Sequence, residues 1–116
     1  MINMYHETKL NIITKEISQC AKNTFGQKLC DVILYGSYAR GDYDSESDID
    51  IIVLVDLPSK ELYKHKKPFH KISSDLGIEY DVVITISLKD IDTFNKYLNV
   101  LPYYQNIQKD GISILI

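Results

Sequence analysis

The chain has 116 residues, 45% of them hydrophobic and 25% charged, with a formal net charge of -3. That length suits one domain spanning residues 1–116 with a real core, and the composition is that of a soluble globular protein. The mild acidity argues against a surface built wholly for nucleic acid, and no apolar run approaches the ~18 residues of a membrane span.

The N-terminal stretch MINMYHETKL has no long apolar core and no small-residue cleavage pattern, so no secretory signal is expected. Leu10, Ile13, Ile17, Cys20, Ala21 and Phe25 recur at helical spacing, which predicts an amphipathic helix from about residue 5 to 25, stopped by Gly26. Cys20 and Cys30 form no CxxC pair, which disfavours a zinc site or a disulfide framework. Buried free thiols in a reducing cytoplasm are the simplest expectation.

Leu29 to Tyr35 reads as a short buried strand, and Gly36 to Ser47 as a turn region with room for one helical turn. Ile49 to Val55 is a second strand, rich in β-branched residues. Pro58-Ser59 opens a segment with apolar positions at Leu62, Phe69, Ile72 and Leu76. Pro68 within it predicts a kinked helix or two short ones, ended by Gly77. Ile78 to Ile86 reads as a third strand, and Ser87 with Asp90 resembles a capping box for a helix over 88–98. Pro102 opens a last helix, Gly111 stops it, and the tail ISILI is either a short strand or a packed terminus. Helices and strands alternate, so the fold class is α/β with one sheet, not required to be purely parallel.

The chemistry concentrates in YGSYARGDYDSESDIDIIV, residues 35–53. Side chains alternate along a strand, so Asp48 and Asp50 share a face, with Cα atoms roughly 6.5–7 Å apart. Ile49, Ile51 and Val53 take the opposite face. Two ionised carboxylates this close repel unless a cation lies between them, and Mg²⁺ prefers carboxylate and phosphate oxygens. Two such ions ~3.5–4 Å apart would fit an in-line displacement. Gly36-Ser37 follows a strand and can offer backbone N–H groups to a phosphate, with Arg40 as an added cation. Asp81 is an acid inside an otherwise apolar predicted strand, where it could face Asp48 and Asp50, ligate a metal and accept a proton. Each feature alone has an ordinary reading as a turn, a solvent-facing acid or a surface salt bridge.

Together they are more specific. A strand, Gly36-Ser37, ten residues and then Asp48-Ile49-Asp50 resembles the signature of the nucleotidyltransferase superfamily that includes DNA polymerase β. The fuller string GSYARGDYDSESDIDIIV is similar to the minimal nucleotidyltransferase family of prokaryotes. The resemblance implies a polymerase β-like fold, a single mixed sheet flanked by helices. It implies that Gly36 and Ser37 hold the β- and γ-phosphates of ATP, with Arg40 supporting them. Asp48, Asp50 and Asp81 would carry two Mg²⁺ ions, and Asp81 would act as base. An acceptor hydroxyl would then take AMP and release pyrophosphate.

The minimal family commonly stands beside a HEPN-domain toxin, so the resemblance implies an antitoxin that transfers AMP to a tyrosine of that partner, either as a homo-oligomer or as a hetero-oligomer with the toxin. A small-molecule nucleotidyltransferase and a non-enzymatic antitoxin that occludes its partner stand as alternatives. Residues 60–71, KELYKHKKPFHK, are locally basic and read either as a solvated helix face or as a partner surface; RNA is not the favoured ligand. The nine tyrosines, Tyr103 and Tyr104 among them, are expected mostly in core or interface positions.

Overall fold

Four strands form one sheet, and a computed structural model describes residues 4–115 of the chain. The elements are α1 (Met4–Phe25), β1 (Leu29–Tyr35), α2 (Ser37–Arg40), β2 (Ile49–Val55), α3 (Ser59–Leu62), α4 (Lys66–Tyr80), β3 (Ile84–Asp90), α5 (Ile91–Tyr97), α6 (Pro102–Asp110) and β4 (Ile112–Ser113). β1 pairs antiparallel with both β2 and β4, whereas β2 and β3 run parallel. The sheet is therefore mixed. The last residue of the tail, Ile116, lies outside the described residues, as do residues 1–3.

Alternation along β2 divides the core in two. Ile49, Ile51, Val53 and Val55 pack with Ile13 and Ile17 of α1 and Phe69 and Leu76 of α4. Ile52 and Leu54 point the other way, against Phe94 of α5 and Tyr104 and Ile107 of α6. Both faces of β2 are thus covered, which is why the strand reads as a near-continuous apolar run. Only Asp50, its second residue, escapes full burial.

The segment after β2 breaks earlier than Pro68 suggests. A 3₁₀ turn over Tyr63–His65 separates α3 from α4, and Pro68 falls in the first turn of α4, where its missing N–H has no helical acceptor to lose.

The expected end of that helix at Gly77 is corrected: α4 continues to Tyr80. A Cβ at residue 77 would meet the carbonyl oxygen of Val82 at 2.8 Å, so the glycine admits the returning chain instead of stopping the helix. The amide of Val82 bonds Gly77 O at 3.0 Å, and Lys9 Nζ reaches the Tyr80 carbonyl at 3.1 Å, closing the helix end. The expected strand over Ile78–Ile86 is corrected in turn. Residues 78–80 are helical, Asp81 is the C-cap, and pairing with β2 begins at Ile84.

The register with β2 runs on to Val55↔Asp90, which holds Ser87 to Asp90 in the sheet and rules out a helix starting at 88. Asp90 is itself the N-cap of α5. Its Oδ2 accepts the Thr93 amide at 3.0 Å and the Thr93 hydroxyl at 2.8 Å, and its Oδ1 accepts the Ser59 hydroxyl at 2.7 Å. Pro102 and Gly111 bound α6 as predicted, and β4 supplies the short terminal strand.

Both cysteines are free, but the expectation of burial fails at Cys30, which is exposed; Cys20 is half-buried. Register slips between Leu29↔Val55 and Asp31↔Leu54, so Cys30 is the extra residue of a β-bulge and leaves the regular in–out alternation.

Candidate active site

Gly36 ends β1 and starts α2, directly beside the strand that carries the acids. Tyr35 pairs with Asp50 in the antiparallel register, so the turn after β1 and the start of β2 meet at one end of the sheet. Gly36 has φ 78° and ψ -157°, a region open essentially only to glycine. Its carbonyl accepts the Ala39 and Arg40 amides at 3.1 Å each. The preceding amides, on Ser37 and Tyr38, have no carbonyl within the helix to bond. Tyr38 is buried and stacks on Tyr43 with ring centroids 4.2 Å apart, anchoring the short helix from below.

The loop from Asp42 to Asp48 is shaped by its own side chains. Asp44 Oδ1 accepts the Glu46 amide at 2.8 Å, and Ser47 Oγ accepts the Asp44 amide at 3.0 Å. This turn delivers Asp48, exposed, to the start of β2, and Asp50 follows two residues later, half-buried.

Burial pushes the Asp50 carboxyl above its ordinary range; the charge of Asp48 pushes it further, and Arg40 pulls it partly back. The repulsion foreseen between the two acids is therefore present. Arg40 is close enough to act on Asp50, but its own ion pairs are to Asp42 at 3.1 Å and Asp110 at 4.0 Å.

Asp81 lies apart from this pair. It is exposed and left-handed, with φ 53° and ψ 54°, a conformation aspartate tolerates better than most residues. It shares with Asp48 a groove of about 720 Å³ whose walls include Glu46, Ser73 and Val83. Asp50 and Gly36 are not on that groove. Among the described residues, no three His, Cys, Asp or Glu side chains gather closely enough to hold a metal ion. Gly36, Ser37, Asp48 and Asp50 are thus brought together, Arg40 stands at the edge, and Asp81 joins only through Asp48.

Two tyrosines, Tyr35 and Tyr103, stand close to Asp50 without having been assigned to the site from sequence. The hydroxyls of Tyr35 and Tyr103 lie 3.0 Å apart, and their rings meet edge to face. Burial holds the Tyr35 phenol well above its ordinary range, Tyr103 and Asp50 add to the shift and Ser87 opposes it, so the phenol stays neutral, and either hydroxyl of the pair can donate. The antiparallel register of β1 with β2 places Tyr35 opposite Asp50.

Asp48 and Asp50 themselves offer carboxylate oxygens as ligands. That donor set, with Asp50 destabilised as an anion, fits a hard divalent cation such as magnesium.

A nucleotidyltransferase domain family model matches residues 14–112. Two proteins of Methanocaldococcus jannaschii, both provisionally named protein adenylyltransferases, are similar in sequence. One is 40% identical over 93 residues, covering 73% of this chain and 91% of the relative. The other is 32% identical over 97 residues, covering 84% and 89%. In fold, the chain is similar to a nucleotidyltransferase of Sulfolobus solfataricus with a TM-score of 0.59, 22% identity, and coverage of 97% of this chain and 87% of that one. It is also similar to a chain of a toxin–antitoxin structure with AMP-PNP, with a TM-score of 0.53, 20% identity, and coverage of 87% and 71%. With the Gly36-Ser37 turn, the Asp48-Ile49-Asp50 strand and the mixed sheet all inside the matched span, this chain belongs to the nucleotidyltransferase domain family.

Proposed function

We propose that this protein transfers AMP from ATP to a hydroxyl, a tyrosine's, of a HEPN-domain toxin, and so acts as its antitoxin in the cytoplasm. The observation that carries the reading is the meeting of Gly36 and Asp50: a glycine turn closed against a half-buried acid whose charge has no full compensation. The sequence likeness to the two archaeal adenylyltransferases supports AMP as the transferred group, and the fold shared with a toxin–antitoxin component supports the partner.

Asp48 and Asp50 would hold magnesium, with Asp81 as a further ligand on the groove side. When bound, such an ion offsets phosphate charge and favours displacement at the α-phosphorus. The chain's own residues do the rest. The Gly36-Ser37 turn receives the β- and γ-phosphates, to which the Ser37 and Tyr38 amides, lacking acceptors within the helix, would donate. Arg40 adds positive charge beside it. The acceptor oxygen forms a bond to the α-phosphorus as the bond to pyrophosphate breaks, and the hydroxyl proton passes to Asp81. The β2–β3 ladder begins at Ile49↔Ile84; if it were carried back with Asp81 in extended conformation, Asp48 would pair with Val83 and Asp81 would take the same facing as Asp48 and Asp50. The Ile49 amide already bonds the Val83 carbonyl at 2.9 Å. A short extension of β3 toward its N-terminus would therefore turn Asp81 to the acids.

The test is intact mass spectrometry of a purified HEPN toxin after incubation with this protein, ATP and Mg²⁺. A mass gain of whole AMP units, absent without either ATP or Mg²⁺, is the expected result. An unmodified toxin that is nonetheless inhibited would replace transfer by occlusion.

A further inference from the structure

β3 lies at the edge of the sheet, paired with β2 on one side and with no other strand among the described residues. Its outward backbone groups are therefore free to bond an added strand. A cavity of about 280 Å³ straddles this edge. Lys66 and His70 line it from α4 on one face of the sheet, Tyr103 from α6 on the other, with Ser87 and Lys89 of β3 between them. A cavity walled by helices on opposite faces must open over the strand's free edge.

The lining is cationic. Neither Lys66 nor Lys89 makes an ion pair among the described residues; the Lys66 ammonium instead sits 4.1 Å over the Tyr63 ring. No acid lines the cavity. This contrasts with a chain whose net charge is -3. Two copies meeting edge to edge here would oppose like charges, so the surface suits a different, acidic chain.

Position links the edge to the chemistry. Thr85, exposed, pairs with Asp50, and Ser87 follows two residues along the strand. A strand added to β3 would lie about 10 Å from β2, at ~4.8 Å per strand spacing. That is within reach of a tyrosine side chain directed across the exposed Thr85 toward Asp50.

We propose that the free edge of β3 docks an extended, acidic segment of the acceptor protein by strand addition. Its carboxylate sits between Lys66, His70 and Lys89, and its hydroxyl residue lies two to four positions away, beside Thr85. The proposal rests on the AMP-transfer reading for the identity of the occupant, but its test needs no nucleotide.

The probe is a synthetic peptide alternating glutamate with valine and ending in tyrosine, titrated into the full chain by fluorescence anisotropy, with backbone amide exchange followed by NMR. Expected are saturable binding, slowed exchange at alternate β3 amides, and at least tenfold weaker binding to the Lys66→Glu/Lys89→Glu variant. The matched lysine–valine peptide should bind that variant better than it binds the wild type. The same acidic peptide with alternate amides N-methylated should lose binding to the unaltered protein, a control that requires no folded variant. Equal binding to both proteins, no protection in β3, tighter binding of oligouridylate RNA, or self-pairing of the chain through β3 in sedimentation would each overturn the proposal. Should the peptide dock while the toxin gains no AMP, the edge stands and the transfer reading falls; the reverse outcome removes the edge alone.

Discussion

The carboxylate of Asp50 occupies the space that a side chain at residue 36 would need: a Cβ on Gly36 would lie 2.6 Å from Asp50 Oδ2. Chemistry and backbone are therefore coupled at this position. Gly36→Ala should cost about 1–3 kcal/mol in backbone strain alone, because its φ of 78° lies outside the range of alanine, and the collision adds to that. A double-mutant cycle separates the two parts. Asp50→Ala should stabilise the Gly36→Ala protein more than it stabilises the wild type, since only the first background contains the clash. Strict additivity in denaturant unfolding would mean that the carboxylate moves aside freely and does not brace the turn.

Asp50 should also weaken the metal-free fold. Its folded carboxyl is raised above the ordinary value of 3.8, so the folded state takes up a proton more readily than the unfolded chain. The penalty is fully present above the folded pKa and is relieved as pH falls through it. Asp50→Asn should therefore raise the metal-free Tm at pH 7, and the gain should shrink toward pH 4. The same change should abolish Mg²⁺-dependent ATP binding in calorimetry, and Asp48→Asn should do so too. A lowered Tm for either variant would assign these acids a structural role.

Asp90 has the opposite sign. Burial pushes its carboxyl up, but hydrogen bonds from Ser59 and from the Thr93 hydroxyl and amide outweigh that, leaving it below its ordinary value. Its contribution is present above the unfolded value of 3.8 and is lost as pH falls through the lower folded one. Asp90→Ala should cost about 0.5–2 kcal/mol at pH 7, as the loss of a helix N-cap does. The difference from wild type should narrow below pH 4. A difference that stays constant down to pH 2 would assign the loss to packing and not to the ionised cap.

Apart from the exposed Cys30, the elements of the first half of the chain were legible because their periodicity was unambiguous. The helical stripe ending at Phe25, the β-branched run of β2 and the Gly36-Ser37 turn became the elements they suggested, and Gly36 lies against Asp50. Beyond Pro58 the signals carried two meanings. Gly77 reads as a helix stop, yet it serves the close passage of Val82. Ile78 to Tyr80 read as a strand, yet tertiary contacts at the helix end, including Lys9 on Tyr80, override that propensity. Ser87 and Asp90 have capping-box spacing, but the cap slid three residues because pairing with β2 held Ser87 in the sheet. The basic segment after Pro58 could not be connected to Lys89 without knowing that β3 is an edge strand.

Asp81 is where cap and catalyst must be told apart, and its left-handed backbone provides the means. Removing the side chain with alanine would strain a φ of 53°, so a loss of activity would be ambiguous. Glycine adopts this conformation freely, so Asp81→Gly should leave the fold at least as stable as wild type while deleting the carboxylate. A general base contributes typically 10²–10⁴-fold to rate. Asp81→Gly should therefore lower AMP transfer by at least that range, with toxin binding in a pull-down unchanged and Tm held or raised. Cells producing both toxin and this variant should remain poisoned. If the variant transfers AMP at the wild-type rate, Asp81 is only the cap of α4, and the base must be sought elsewhere. If transfer is lost and cells are still protected at matched expression, occlusion suffices for the antitoxin effect. The acids would then serve a reaction that protection does not require.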